Sequence, residues 1–225
     1  MRRTAQTEQQ VRGDQPDDFI NSLVADLRPV RVLSRRSGLS LAAAAAIAAL
    51  LFAAMFVGLR DDLLGGQLDP MFLLSSGLFL LLGVASTFTV VEMSRPSVGN
   101  FRDGWKWAAA MAALLPATAL LLAAVDVFNG TGVIVDPEDR ICLFYGTGLG
   151  LGVAAALTFW LRRGAPTSPA HAGLLTGVAA GSIGIFTFGL CCPHNDIMHI
   201  GLWHTLAVLA SGGLGRAIVP ALVRW

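Results

Sequence analysis

Charge is the first thing this sequence lacks. Charged residues make up 14% of the chain, where a soluble globular domain carries about a quarter, and Lys106 is the one lysine beside fifteen arginines. A soluble surface of ordinary polarity is excluded. No acidic or basic residue is central to any of the first five apolar stretches described below; Glu92 and Asp126 stand at their boundaries. That argues against ion or proton transport, which depends on buried ionisable groups. The three cysteines form no CxxC pair, the motif a membrane thiol oxidoreductase would use with a quinone. No cleavable signal sequence is expected, because the first apolar run starts near Leu39, too late and too long for one. The Arg2-Arg3 pair lacks the short apolar region of a twin-arginine signal, so the first span reads as a retained anchor.

Hydrophobic residues fill 54% of the chain and gather in six stretches: Leu39–Leu59, Met71–Val91, Trp107–Val125, Cys142–Leu161, Ala172–Leu190 and Leu202–Leu222. A hydrocarbon core of about 30 Å needs about 20 helical residues, and backbone groups in lipid must be satisfied within each segment. The sequence therefore predicts an all-α integral membrane protein with six transmembrane helices. Arg216 interrupts the last span, so its head snorkels to the interface or the helix ends before Pro220.

Basic residues orient the spans. With the N-terminus on side one, that side holds Arg2, Arg3, Arg12, Arg28, Arg31, Arg35, Arg36, Arg95, Arg102, Lys106, Arg162, Arg163, Arg216 and Arg224, against only Arg60 and Arg140 on side two. Fourteen against two places both termini in the cytoplasm. Trp105, Trp107 and Trp160 fall at inner boundaries and Trp203 at an outer one, as interfacial anchors. The outer loops are acidic, with Asp61, Asp62, Asp69, Asp126, Asp136, Glu138, Asp139 and Asp196, so a net charge of +1 and a pI near 7.8 conceal a polarised molecule.

This topology puts every thiol outside, in the oxidising periplasm: Cys142 opens the fourth span, and Cys191 and Cys192 close the fifth. The hairpin of those spans allows a bridge from Cys142 to either Cys191 or Cys192, and closing a loop of about 50 residues is worth at most about 4 kcal/mol. A vicinal bridge is strained and ranks lower. Three readings stand beside one another: a structural disulfide or buried free thiols, a redox-responsive pair with one thiol left for exchange, and a site for a transient metal ion drawn from Cys191, Cys192, His194, His199 and His204. The spacing fits no specific zinc pattern, and His204 also reads as a buried histidine at a helix start. His171 reads as solvated on the cytoplasmic side. Gly146, Gly148, Gly150 and Gly152, with Gly177 and Gly181, give GxxxG pairs that predict close helix packing and permit a homodimer.

The cytoplasmic segment 1–33 precedes the six-helix transmembrane domain 34–225. Residues 1–16 are polar and read as disordered. Over residues 17–28, Phe19, Ile20, Leu23, Val24 and Leu27 make one apolar helical face, with Asp17 or Asp18 as cap, Arg28 at the end and Pro29 as stop. So short a helix is marginal alone in water, and its face calls for a partner: a membrane surface, a second copy or a protein groove. Its acidic head disfavours anionic lipid.

The stretch Phe19-Ile20-x-x-Leu23-Val24-Ala25-Asp26-Leu27-x-Pro29-Val30 resembles the opening motif of the NrsF-type anti-sigma factors, a bacterial family with six transmembrane helices. Cys192-Pro193-x-x-Asp196 followed by Trp203-His204 resembles the last outer loop of that family, and Cys142 stands where its other periplasmic cysteine is expected. The resemblance runs from about Asp17 to near the C-terminus. It implies that the N-terminal helix holds an ECF sigma factor at the membrane, and that the outer cysteines release it under oxidative or heavy-metal stress. It implies no enzyme activity, no resident cofactor and no direct contact with nucleic acid. Cys191 departs from the pattern and leaves open which sulfur pairs with Cys142.

Overall fold

The computed structural model describes residues 18–25, 27, 34–95, 104–130 and 137–223, and among these every regular element is helical. Residues 18–25 form a short helix, α1, in an N-terminal unit of its own; the described part of the second unit starts at Ser34. The expectations for residues 1–16, Asp17, Asp26, Arg28 and Pro29 lie outside the described residues, as does Asp136.

The bundle runs α2 (Arg35–Phe56), α3 (Asp61–Gly65), α4 (Pro70–Met93), α5 (Gly104–Ala112), α6 (Leu114–Phe128), α7 (Ile141–Arg162), α8 (Pro169–Gly189), α9 (Ile197–His199) and α10 (Thr205–Leu222). A π turn, Ile200–His204, joins α9 to α10. Counting α5–α6 and α9–α10 as one span each gives six segments of 21 to 26 residues that are long and apolar enough to cross a membrane. Local chemistry sets several boundaries. Asp69 caps α4 by accepting from the Met71 amide at 2.7 Å, and Pro70 follows where its missing N–H costs nothing. Gly66 ends α3 in the left-handed conformation, φ 70°.

Helix α8 is the hub. The bundle buries 83% of its apolar window, against 17% for α2 and 22% for the third span. It packs on α4, α7 and α10, and its small residues allow the approach. A Cβ at Gly177 would meet the Ser211 carbonyl of α10, and one at Gly150 the Ala180 carbonyl of α8. The overlapping glycine pairs of α7 thus divide: Gly146 and Gly150 face α8, while Gly148 and Gly152 face open space.

Three expectations need correction. The first helix ends at Phe56 rather than Leu59, before Gly58 at φ 88°. The last span starts earlier, at Ile197, and runs through Pro220. Pro220 sits in the final turn, where only one backbone bond is forfeited, and Arg216 is exposed. Trp160 is a core residue rather than an interfacial anchor: it is 3% exposed, and its Nε1 donates to Ser94 Oγ at 3.1 Å. Near it, Arg35 pairs with Glu92, and the Ala165 amide donates to the Ser94 carbonyl at 2.8 Å, tying the α7–α8 loop to the end of α4.

Candidate thiol–imidazole site

The opposite end of the bundle carries the chemistry. Cys142 lies in the first turn of α7, and Cys192 in the loop after α8, and both are buried. Their sulfurs are 3.9 Å apart, and all three cysteines are free thiols. Cys191 is half-buried and makes no sulfur contact with Cys142 among the described residues. Of the two adjacent cysteines, Cys192 is therefore the one that stands beside Cys142.

His199 joins them, its Nε2 lying 3.3 Å from Cys142 Sγ and 3.6 Å from Cys192 Sγ. Its other nitrogen, Nδ1, is 3.0 Å from Asp139 Oδ2, close enough for an ion pair but off the line of a good hydrogen bond. Asp139 comes from the 3₁₀ turn Pro137–Arg140 that leads into α7. Asp196 fixes the histidine from behind: as N-cap of α9, it accepts from the His199 amide at 2.7 Å. His204 completes the cluster, buried, with ring centroids 5.2 Å from His199.

The π turn explains why these imidazoles face the same way. In an α-helix, residues five apart point about 140° apart. A π turn closes i to i+5 and stacks such residues, and single turns of this kind recur at functional sites. His194 stands at the rim, half-exposed, 3.8 Å from Asp139 Oδ1 and edge-on to His199. The sequence-based candidates Cys191, Cys192, His194, His199 and His204 are thus regrouped. The converging donors are Cys142, Cys192, His199 and His204, with Asp139, His194 and His199 as a second group, and Cys191 in neither.

The loop thiols differ in acidity. Cys192 is held below the ordinary thiol range, because Cys142 donates to it and His199 adds a further hydrogen bond against the opposing effect of burial. Cys191 is pushed upward by burial and then by the neighbouring Cys192 charge. Alongside the cluster, Arg60 is 7% exposed, donates its backbone N–H to the Leu190 carbonyl at 3.1 Å and pairs with Asp62 at 2.6 Å. Its guanidinium also lies 4.5 Å above the Phe72 ring. Two thiols this close, one of them acidic, can be joined by a two-electron oxidant.

The other residues singled out from sequence lie on α1 and just beyond it. Phe19, Ile20, Leu23, Val24 and Leu27 are between 53% and 73% exposed. His171 is exposed, as expected.

The family model described as NrsF, negative regulator of sigma F, matches residues 23–225. Anti-sigma-F factor NrsF of Caulobacter vibrioides is 33% identical over 218 residues, covering 93% of this chain and 99% of that protein. A protein of Azospira oryzae named probable anti-sigma-F factor NrsF is 29% identical over 221 residues, with the same coverage of both chains. No solved structure matches the chain. A match across almost the whole bundle, with two full-length relatives, places this chain in the NrsF family of negative regulators of sigma F.

Proposed function

We propose that the chain is an anti-sigma factor of the bacterial inner membrane that holds an ECF sigma factor through α1 and releases it when Cys142 and Cys192 are oxidised or bind a heavy metal. The names of its relatives support the sigma-factor partner. The observation that carries the reading is the exposure of Phe19, Ile20, Leu23 and Val24 on one short helix, and of Leu27 just beyond it, in a unit of its own. Such a face fits a hydrophobic groove on a partner, and the arginine distribution supports a cytoplasmic position for it. It also supports a periplasmic position for the thiols. The domain boundary at residues 33–34 belongs to the same proposal.

Oxidation is the input step. A hydroperoxide takes two electrons from the thiol pair; its O–O bond breaks as the Cys142–Cys192 bond forms, and the two thiol protons end in an alcohol and water. The sulfurs must close from 3.9 Å to about 2.05 Å, which moves α7 against the loop after α8. Shifting the partner equilibrium tenfold needs about 1.4 kcal/mol of difference between the two states, which forming a disulfide supplies. The test is co-purification of the full-length chain with its sigma factor from membranes. Retention is expected for the wild type and loss for Leu23→Asp; retention by both contradicts the assignment of α1.

A further inference from the structure

The thiol pair uses one buried imidazole, His199, and leaves the second, His204, without a task. Among the described residues, His204 Nε2 is buried without a hydrogen-bond partner, on a residue 4% exposed, beside two sulfurs and a second imidazole. An unpaired buried ring nitrogen is unfavourable, and a donor nitrogen of this ring lies within 4.8 Å of the other three donors. We propose that Cys142, Cys192, His199 and His204 bind one zinc-class divalent cation in a tetrahedral Cys2His2 site, oriented by Asp139.

Geometry carries the assignment. With metal–sulfur bonds of about 2.3 Å and metal–nitrogen bonds of about 2.0 Å, a tetrahedron has edges of about 3.8 Å between sulfurs and about 3.5 Å between sulfur and nitrogen. The corresponding distances here are 3.9 Å for Cys142–Cys192, and 3.3 Å and 3.6 Å from those sulfurs to His199 Nε2. The fourth donor atom lies within 4.8 Å of the other three, so a small inward movement of the His204 ring closes the polyhedron. Asp139, 3.0 Å from the far nitrogen of His199, stands where a carboxylate supports a ligating imidazole, and a small turn of the ring would complete that hydrogen bond. The donors come from the start of α7, the loop after α8, the last residue of α9 and the π turn, so one ion would pin the ends of three spans.

The site deepens the sensing role proposed above and rests on that reading for its regulatory meaning. A hydroperoxide would take one electron from each bound thiolate; the disulfide forms, the O–O bond breaks, and two solvent protons complete the alcohol and water. That removes two of four ligands, so the ion leaves.

Full-length protein in detergent, stripped with chelator under reducing conditions, is titrated with Co2+. The expected result is one equivalent bound, with the visible absorption of tetrahedral thiolate-ligated Co2+, displaced by Zn2+. His204→Gln and Cys142→Ser should each weaken binding at least about tenfold, and Asp139→Asn by about 10- to 100-fold with the same spectrum. Cys191→Ser should bind as wild type does. No stoichiometric binding by the wild type, or an unchanged spectrum and affinity in His204→Gln, overturns the site. Should a variant fail to fold, the wild type decides alone: peroxide pretreatment should abolish Co2+ binding, and full binding by the oxidised protein overturns the proposal. A failed sigma-factor reading looks different, since capture is then absent while Co2+ still binds.

Discussion

Cys192 and Cys191 are neighbours in sequence and opposites in surroundings. One is buried against a second thiol and an imidazole; the other is half-buried, with its acidity moved the other way. Peroxide should therefore produce a Cys142–Cys192 bond in preference to any bond to Cys191, read by peptide mapping after blocking of free thiols. Cys191→Ser should leave that product unchanged, and a dominant Cys191 bridge would contradict the geometry. Arg60 and Asp62 give a prediction in pH. The guanidinium holds Asp62 below the usual carboxylate value, so the pair stabilises the fold above the unfolded-state value and is lost as pH falls through the lowered one. Thermal unfolding in detergent should thus show a midpoint that drops in acid. Asp62→Asn should lower the midpoint at neutral pH and flatten its acid dependence, because Arg60 is then left buried without its partner. At this scale the sequence was partly legible. Apolar periodicity placed all three thiols at one end of the spans, but which of two adjacent cysteines faces inward depends on the rotation of the chain leaving α8. His204 was legible both as a candidate ligand and as a buried histidine, and the sequence could not choose, because a five-residue spacing aligns with His199 only through the π turn.

Among the elements, α8 and α1 pose opposite problems. Helix α8 is almost wholly enclosed, and its glycines hold it there. Gly177→Leu must displace the Ser211 carbonyl backbone of α10, so lower yield of folded protein and a lower unfolding midpoint are expected. Gly148→Leu, facing open space, should be tolerated in the same assay. Helix α1 exposes its whole apolar face. Burying a leucine is worth about 1.5–3 kcal/mol, so replacing Leu23 by a charge should weaken sigma-factor binding by about 100-fold or more, measurable by titration. The six spans were readable because length and hydropathy alone decide them. The end of the first, the early start of the last and the passage of α10 through Pro220 were not. They depend on a positive-φ glycine, an aspartate cap and an end-of-helix position that hydropathy does not register. Trp160 misled for a related reason: its place at a span boundary resembled that of an anchor, but its indole N–H is met by Ser94 within the bundle.

Taken whole, the molecule has a basic, ion-paired end near Arg35 and Glu92 and a thiol–imidazole end near Cys142 and His199, with α8 between them. The arginine bias predicts how that axis lies in the membrane. Alkaline phosphatase should be active when inserted after Gly66 and inactive when fused after Trp225, and the reverse pattern would invert the topology. The central claim is that the thiol end controls sigma-factor retention, and one measurement tests it directly. Vesicles holding the full-length chain and its bound sigma factor, with the Cys142 face outward, are treated with peroxide, and soluble sigma factor is measured inside the lumen. The account predicts release in the wild type and in Cys191→Ser, and retention in Cys142→Ser and Cys192→Ser. Equal release from all four proteins would contradict it.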